Sequence, residues 1–271
     1  MVRRQFLLLL FAPWLCAQTA DEIVRKSLAV DQRDWQAAQA YTYQEDIVTR
    51  ERDAKGGVKK TERMTYDVAY YYGSPYRRLI RKDGQPLSAK EEQRVREEME
   101  KELAKRRKDP EREQREYEKS RREMRKMLDQ IPRAFRFTLV RNESVSSLPC
   151  WVLDAEPRPD FKGEGIRAKS LSKMRGRLWI SQSDYRWVKA DVEVIDTLSF
   201  GWLLFRLSPG SRMAFEAARV NSEIWMPSRL RVSADGRLAM LKKLRTDIDI
   251  DWSNYRKFQI ESRIVSTDLQ P

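Results

Sequence analysis

Short runs of alternating apolar and polar residues, each closed by a turn signal, fill most of the chain from Tyr41 onward. That pattern constrains the fold more than any other feature, because a side-chain period of two belongs to strands with one dry face and one wet face. Met64, Tyr66, Val68, Tyr70 and Tyr72 share one face of a run from Val58 to Tyr72, and Lys59, Thr61, Arg63, Thr65 and Asp67 take the other. Val188, Ala190, Val192 and Val194 alternate with Trp187, Lys189, Asp191 and Glu193. Asp247-Ile248-Asp249-Ile250-Asp251-Trp252 repeats the scheme, and Phe258, Ile260 and Ile264 close the series. Shorter runs begin at Tyr41, Tyr76, Phe135, Pro149, Leu178, Leu203, Met213 and Ile224, with Met240 beyond them. Lys55-Gly56-Gly57, Asp83-Gly84, Ser181 to Asp184, Ser208-Pro209-Gly210 and Asp235-Gly236 read as turns, and Pro227 as a strand edge or bulge. Roughly ten or eleven strands follow from this spacing, with no βαβ alternation. The expected class is mainly β (α+β): a large curved antiparallel sheet, or half-barrel, with few helices.

Two segments break the period. Val24, Leu28 and Trp35 recur at helical spacing within 21–38 and predict a helix there. Ser88-Ala89-Lys90-Glu91 is a capping box, in which serine and glutamate each satisfy a free amide of the other. From there to about Gln130 the chain is dominated by Glu, Lys and Arg. Val95, Met99 and Leu103 form a thin stripe on a first helix. Pro110 starts a second, striped by Tyr117, Met124, Leu128 and Ile131. Residues 88–131 are therefore a charged helical hairpin between strands, either docked on the sheet with a solvated face or acting as a lid or partner arm.

The N-terminus reads as a secretory signal over 1–17. Arg3-Arg4 precede an apolar run from Phe6 to Ala12, too short to span about 30 Å of hydrocarbon. Pro13 breaks the run and Leu15-Cys16-Ala17 offers a small residue for cleavage. Pro13-Trp14-Leu15 is a poor lipobox, so lipid attachment at Cys16 is not expected. The mature chain, 18–271, is expected to be one domain in the periplasm. It keeps only Cys150, which excludes an intrachain disulfide and reads as a buried small hydrophobe.

Histidine is absent. This removes imidazole-based nucleophile systems, imidazole metal sites and the commonest general base. No carboxylate pair stands apart from surface charge, so a non-enzymatic protein without cofactor or metal is expected. Without Arg3 and Arg4, 52 basic residues stand against 41 acidic ones, a net of +11. Such an excess favours an anionic membrane surface or envelope glycan. Nucleic acid is not expected, because the most basic segment is nearly free of the aromatic residues on which bases stack.

Arg175-Gly176-Arg177-Leu178-Trp179-Ile180-Ser181 leads through a turn into Tyr185-Arg186-Trp187-Val188-Lys189-Ala190-Asp191. Together with Glu223-Ile224-Trp225-Met226-Pro227 and Tyr255-Arg256-Lys257-Phe258, this resembles periplasmic lipoprotein carriers of the LolA/LolB type and their RseB-like relatives. The resemblance implies a half-barrel whose concave apolar side, capped by helices, holds acyl chains. The charged insertion departs from the carrier pattern, and no partner motif for lipoprotein transfer is recognisable.

A lining for such a cavity would come from Tyr66, Val68, Tyr70, Leu178, Ile180, Val192, Val194, Leu203, Phe205, Phe215, Ile248 and Ile250. Core packing under the helix at 21–38 accounts for any single one of these more readily than ligand contact does. The expected function is binding of a lipid or acylated protein. The alternative is an envelope interaction or sensor module docking through the basic helical arm. Cargo and oligomeric state are not fixed by the sequence.

Overall fold

The computed structural model describes residues 18–200, 205–238 and 242–257. The signal segment 1–17, Leu203, Met240 and the run Phe258–Ile264 lie outside the described residues. So do the side chains of Trp35 and Phe205.

Helix α1 (Ala20–Ala38) opens the chain, followed by β1 (Tyr41–Arg52), β2 (Val58–Tyr71), β3 (Ser74–Lys82) and β4 (Gln85–Pro86). Helices α2 (Ala89–Lys108), α3 (Pro110–Leu128) and the single turn α4 (Ile131–Ala134) form the insertion. Then come β5 (Phe135–Val145), β6 (Leu148–Pro157), the turn α5 (Ile166–Lys169), β7 (Met174–Ser181) and β8 (Trp187–Val194). The chain goes on through β9 (Leu198–Phe200), β10 (Phe205–Leu207), β11 (Arg212–Val220), β12 (Ile224–Leu238) and β13 (Lys242–Lys257).

Among the described residues all 13 strands belong to one antiparallel sheet, whose main path runs β4-β3-β2-β1-β13-β12-β11-β8-β7-β6-β5. β4 and β5 end that path without pairing to each other, so the sheet is open. The count exceeds the expected ten or eleven because β4 and β9 have only two and three residues, too few for alternation to register. A second difference is at Asp235-Gly236, which is no turn: β12 runs straight through it. Gly236 is there because the paired strand β10 lies so close that an added Cβ would stand 2.1 Å from the Arg206 carbonyl oxygen. Pro227 does mark a bulge, since Glu216 faces Arg229 while Ala217 faces Pro227.

The inner face over β5–β8 is packed by α1. Ile23, Val24 and Leu28 meet Phe135, Phe137, Leu153, Leu178, Ile180 and Ala190 in one buried cluster. Ser27 is buried there too. Its hydroxyl donates to the Val24 carbonyl (2.7 Å) and accepts from the Trp187 indole (2.8 Å). The outer face carries charge instead. Asp46 meets Arg63, Asp249 meets Arg50 and Asp251 meets Arg229 across neighbouring strands. Each exposed pair adds only a few tenths of a kcal/mol, about 0.2–1. Behind β6–β8 a small second cluster of Cys150, Val152, Trp179 and Val188 interrupts this polar surface.

The insertion is docked, and it straddles the β3 end of the sheet. Met99 of α2 shares a groove with Ala69, Tyr71, Tyr76 and Arg78 on the outer side. Tyr117 of α3 instead meets Tyr70 on the inner side, with the two hydroxyls 3.4 Å apart. Arg125 of α3 then donates to the Leu28 carbonyl of α1 (2.9 Å), so α3 bridges the two halves of the inner face. Within the stripe expected for the second helix, Met124 faces solvent (40% exposed), and Met127 packs inward in its place.

The capping box forms as expected: the Ser88 amide donates to Glu91 (3.0 Å) and the Glu91 amide to the Ser88 hydroxyl. Ser88→Ala should therefore cost about 1 kcal/mol, read as a lower urea midpoint with unchanged slope. An unshifted midpoint would mean that docking alone holds the start of α2.

Candidate functional site

From β8 across to β2 the inner face is only partly covered by α1, and a hollow of about 410 Å³ opens there. Six adjacent strands line it: Tyr70 (β2), Tyr43 and Glu45 (β1), Trp252 and Tyr255 (β13), Trp225, Met226 and Pro227 (β12), Phe215 and Ala217 (β11) and Trp187 (β8). α1 adds Ser27, Leu28 and Ala38, α3 adds Tyr117, Arg121 and Leu128, and Arg186 stands beside them. Six strands laid flat would be about 24 Å wide. For all of them to line one space of this size, the sheet must bend around it.

The polar atoms of the lining are largely engaged with the protein itself. Glu45 is ion-paired to Arg77 (2.6 Å) and accepts from the Trp252 indole (3.0 Å). The Trp225 indole donates to Asp184 (2.7 Å), the Trp187 indole to Ser27, and the Tyr255 hydroxyl to the Pro227 carbonyl. The rings are thus left to present carbon to the hollow. Burial pushes the Tyr43, Tyr117 and Tyr255 phenols well above their ordinary range, so all three stay protonated at neutral pH. The arrangement offers contact area and two guanidinium groups rather than a proton donor and acceptor poised for chemistry. Among the described residues no cluster of three or more His, Cys, Asp or Glu could hold a metal ion. No helix among them is long and apolar enough to cross a membrane.

Of the residues expected to line a cavity, the structure brings Tyr70 and Phe215 to the hollow. Tyr66 lies alongside, covered by the Arg77 guanidinium 4.6 Å from its ring centre. Val68 is buried at 1% exposure, and Leu178 and Ile180 belong to the core under α1. Val194 is buried and Val192 half-buried opposite Gly176 and Met213. Ile248 and Ile250 are half-buried, in register with Val232 and Leu230. Leu203 and the Phe205 side chain are outside the described residues.

Alternation alone does not single out several of the lining residues, and it puts Trp187 on the wet face, whereas the structure turns Trp187 into the hollow. A bulge is responsible. Trp179 faces Lys189 while Ile180 faces Trp187, so Val188 is the extra residue, and it joins the outer cluster as Trp187 swings inward. Tyr43 and Trp252 carry a signal in their alternation, but not in their depth, whereas Tyr255 is out of phase with Trp252 and reaches the hollow past a register slip between Ser253 and Arg256.

The sequence matches no protein-family model and no curated protein. Among solved structures it is similar to a DUF1329 family protein from Desulfovibrio piger, at 13% identity and a TM-score of 0.36, covering 89% of this chain and 94% of the other. It is also similar to a LolA superfamily protein from Nitrosomonas europaea, at 13% identity and a TM-score of 0.32, covering 94% and 100%. A third is the Pseudomonas aeruginosa MucA/MucB complex, at 10% identity and a TM-score of 0.24, covering 89% and 99%. At these values the likenesses transfer no ligand or partner to this chain.

Proposed function

We propose that this chain is an exported, non-enzymatic periplasmic protein that takes the acyl part of a lipid or lipid-modified protein into the hollow, in the service of outer-membrane lipoprotein sorting. The observation that carries the reading is the open, aromatic-lined hollow of about 410 Å³ between α1, α3 and six strands. Its size falls in the ordinary range of ligand sites, about 300–1,000 Å³. Burying about ten methylenes is worth about 8 kcal/mol before the cost of ordering them, so no polar anchor is required for capture. Arg121 and Arg186 beside the hollow suit an anionic headgroup.

Docking through the charged arm has less support. Arg94–Glu98, Arg115–Glu111 and Arg122–Glu118 are paired within their own helices and Arg125 with the C-cap Asp129, which leaves fewer unengaged charges to recruit a partner. The test is titration of delipidated protein with a fluorescent fatty acid and with an acylated lipopeptide. Saturable binding, displaced by unlabelled lipid, is expected. Failure to saturate with both probes would discard the proposal.

A further inference from the structure

The two ends of the sheet are unlike. At the β3 end, Arg106 reaches from α2 to the carbonyls of Tyr71 (3.5 Å), Ser74 (3.3 Å) and Pro75 (3.4 Å), and β4 contributes only two residues, one of them proline. At the other end, β5 runs for 11 residues with β6 as its only strand neighbour among the described residues. It exposes Leu139 at 42% and Val140 at 43%. A strand edge with apolar side chains is a template for another strand.

We infer that β5 is a self-pairing edge, at which a second copy of this chain adds its own β5 antiparallel to the first. The argument is the charge pattern of the edge. A bulge at Val140 separates Leu139, which faces Leu153, from Arg141, which faces Val152. By adding one residue, the bulge turns Arg136 and Glu143 to the same outer face. Arg136 lies opposite Glu156, and Glu143 opposite Cys150 of the outer cluster.

An antiparallel mate about a twofold axis between Leu139 and Val140 then sets Arg136 against Glu143 of the second copy, and Glu143 against its Arg136. Thr138 meets Arg141, Phe137 meets Asn142 and Leu139 meets Val140, so the two bulges flank the axis and the pairs on either side of them keep their faces. Among the described residues Arg136 has no ion-pair partner, while Glu143 is held by Arg141 on its own strand. The edge is complementary to itself in charge and in apolar centre, which is what an isologous contact needs.

This inference is independent of the hollow and its guest. Sedimentation velocity of the native chain across a wide concentration range should show a reversible dimer. Arg136→Glu and Glu143→Arg should each weaken it about tenfold, since each sets like charges opposite one another at both ends. The double variant should restore it. Mixing the two single variants should also give a dimer, because opposite charges then meet at both ends, and this outcome also certifies that both variants fold. A monomer at every concentration overturns the inference. So does a dimer indifferent to both single changes, or one that neither the double variant nor the mixture recovers.

Discussion

Replacing Arg106 by alanine is expected to cost about 2–5 kcal/mol of stability. In a domain of this size that is a fall of about 5–15 °C in melting temperature. The side chain is only 8% exposed. It donates to three backbone carbonyls, the Ser74 hydroxyl (2.8 Å) and Glu102 (3.1 Å), and its guanidinium lies 5.6 Å from the Tyr76 ring centre. Truncation leaves those acceptors without a donor in a place water reaches poorly. Arg106→Lys should recover little, because an ammonium cannot fan out to acceptors on both sides. Thermal unfolding followed by circular dichroism checks this. A melting temperature within about 1 °C of the parent would mean that the insertion is held mainly by its apolar stripe.

The second large effect concerns the hollow. Phe215→Glu should weaken acyl binding by about a hundredfold or more, about 2.7 kcal/mol, because an ionised carboxylate must lose water to meet a hydrocarbon chain. Phe215 is half-buried and also touches the core, so a stability loss of about 1 kcal/mol should accompany it. Met213→Glu is the matched control: two residues along the same strand, 40% exposed and not among the lining residues, it should leave affinity unchanged. Equal affinity in all three proteins would place the guest somewhere other than the hollow.

What the sequence made legible is what period-two patterning reports: strand existence, facing and order of turns. Asp247 to Trp252 alternates in the folded sheet as it does in the string, aspartates outward and Ile248, Ile250 and Trp252 inward. The capping box and Pro110 located both long helices of the insertion because their signals are local chemistry. Depth was not legible. Leu178 and Tyr70 obey the same alternation, yet one lies under α1 and the other lines open space, because helix placement decides between core and hollow. Bulges were hidden for a related reason. Nothing in Tyr185-Arg186-Trp187-Val188 announces the extra residue that reverses Trp187. Gly236 misled because a glycine needed for close passage looks the same in a string as one needed for a turn.

The unequal rims of the sheet also set a limit on growth. A strand-built body with two exposed margins can propagate without end, each recruit offering the next a fresh landing place. Here one margin is stoppered by a guanidinium and a proline. If β5 self-pairs, the main path of the sheet has a valence of one for strand addition, and crowding of the folded protein should terminate in a finite particle rather than a fibril.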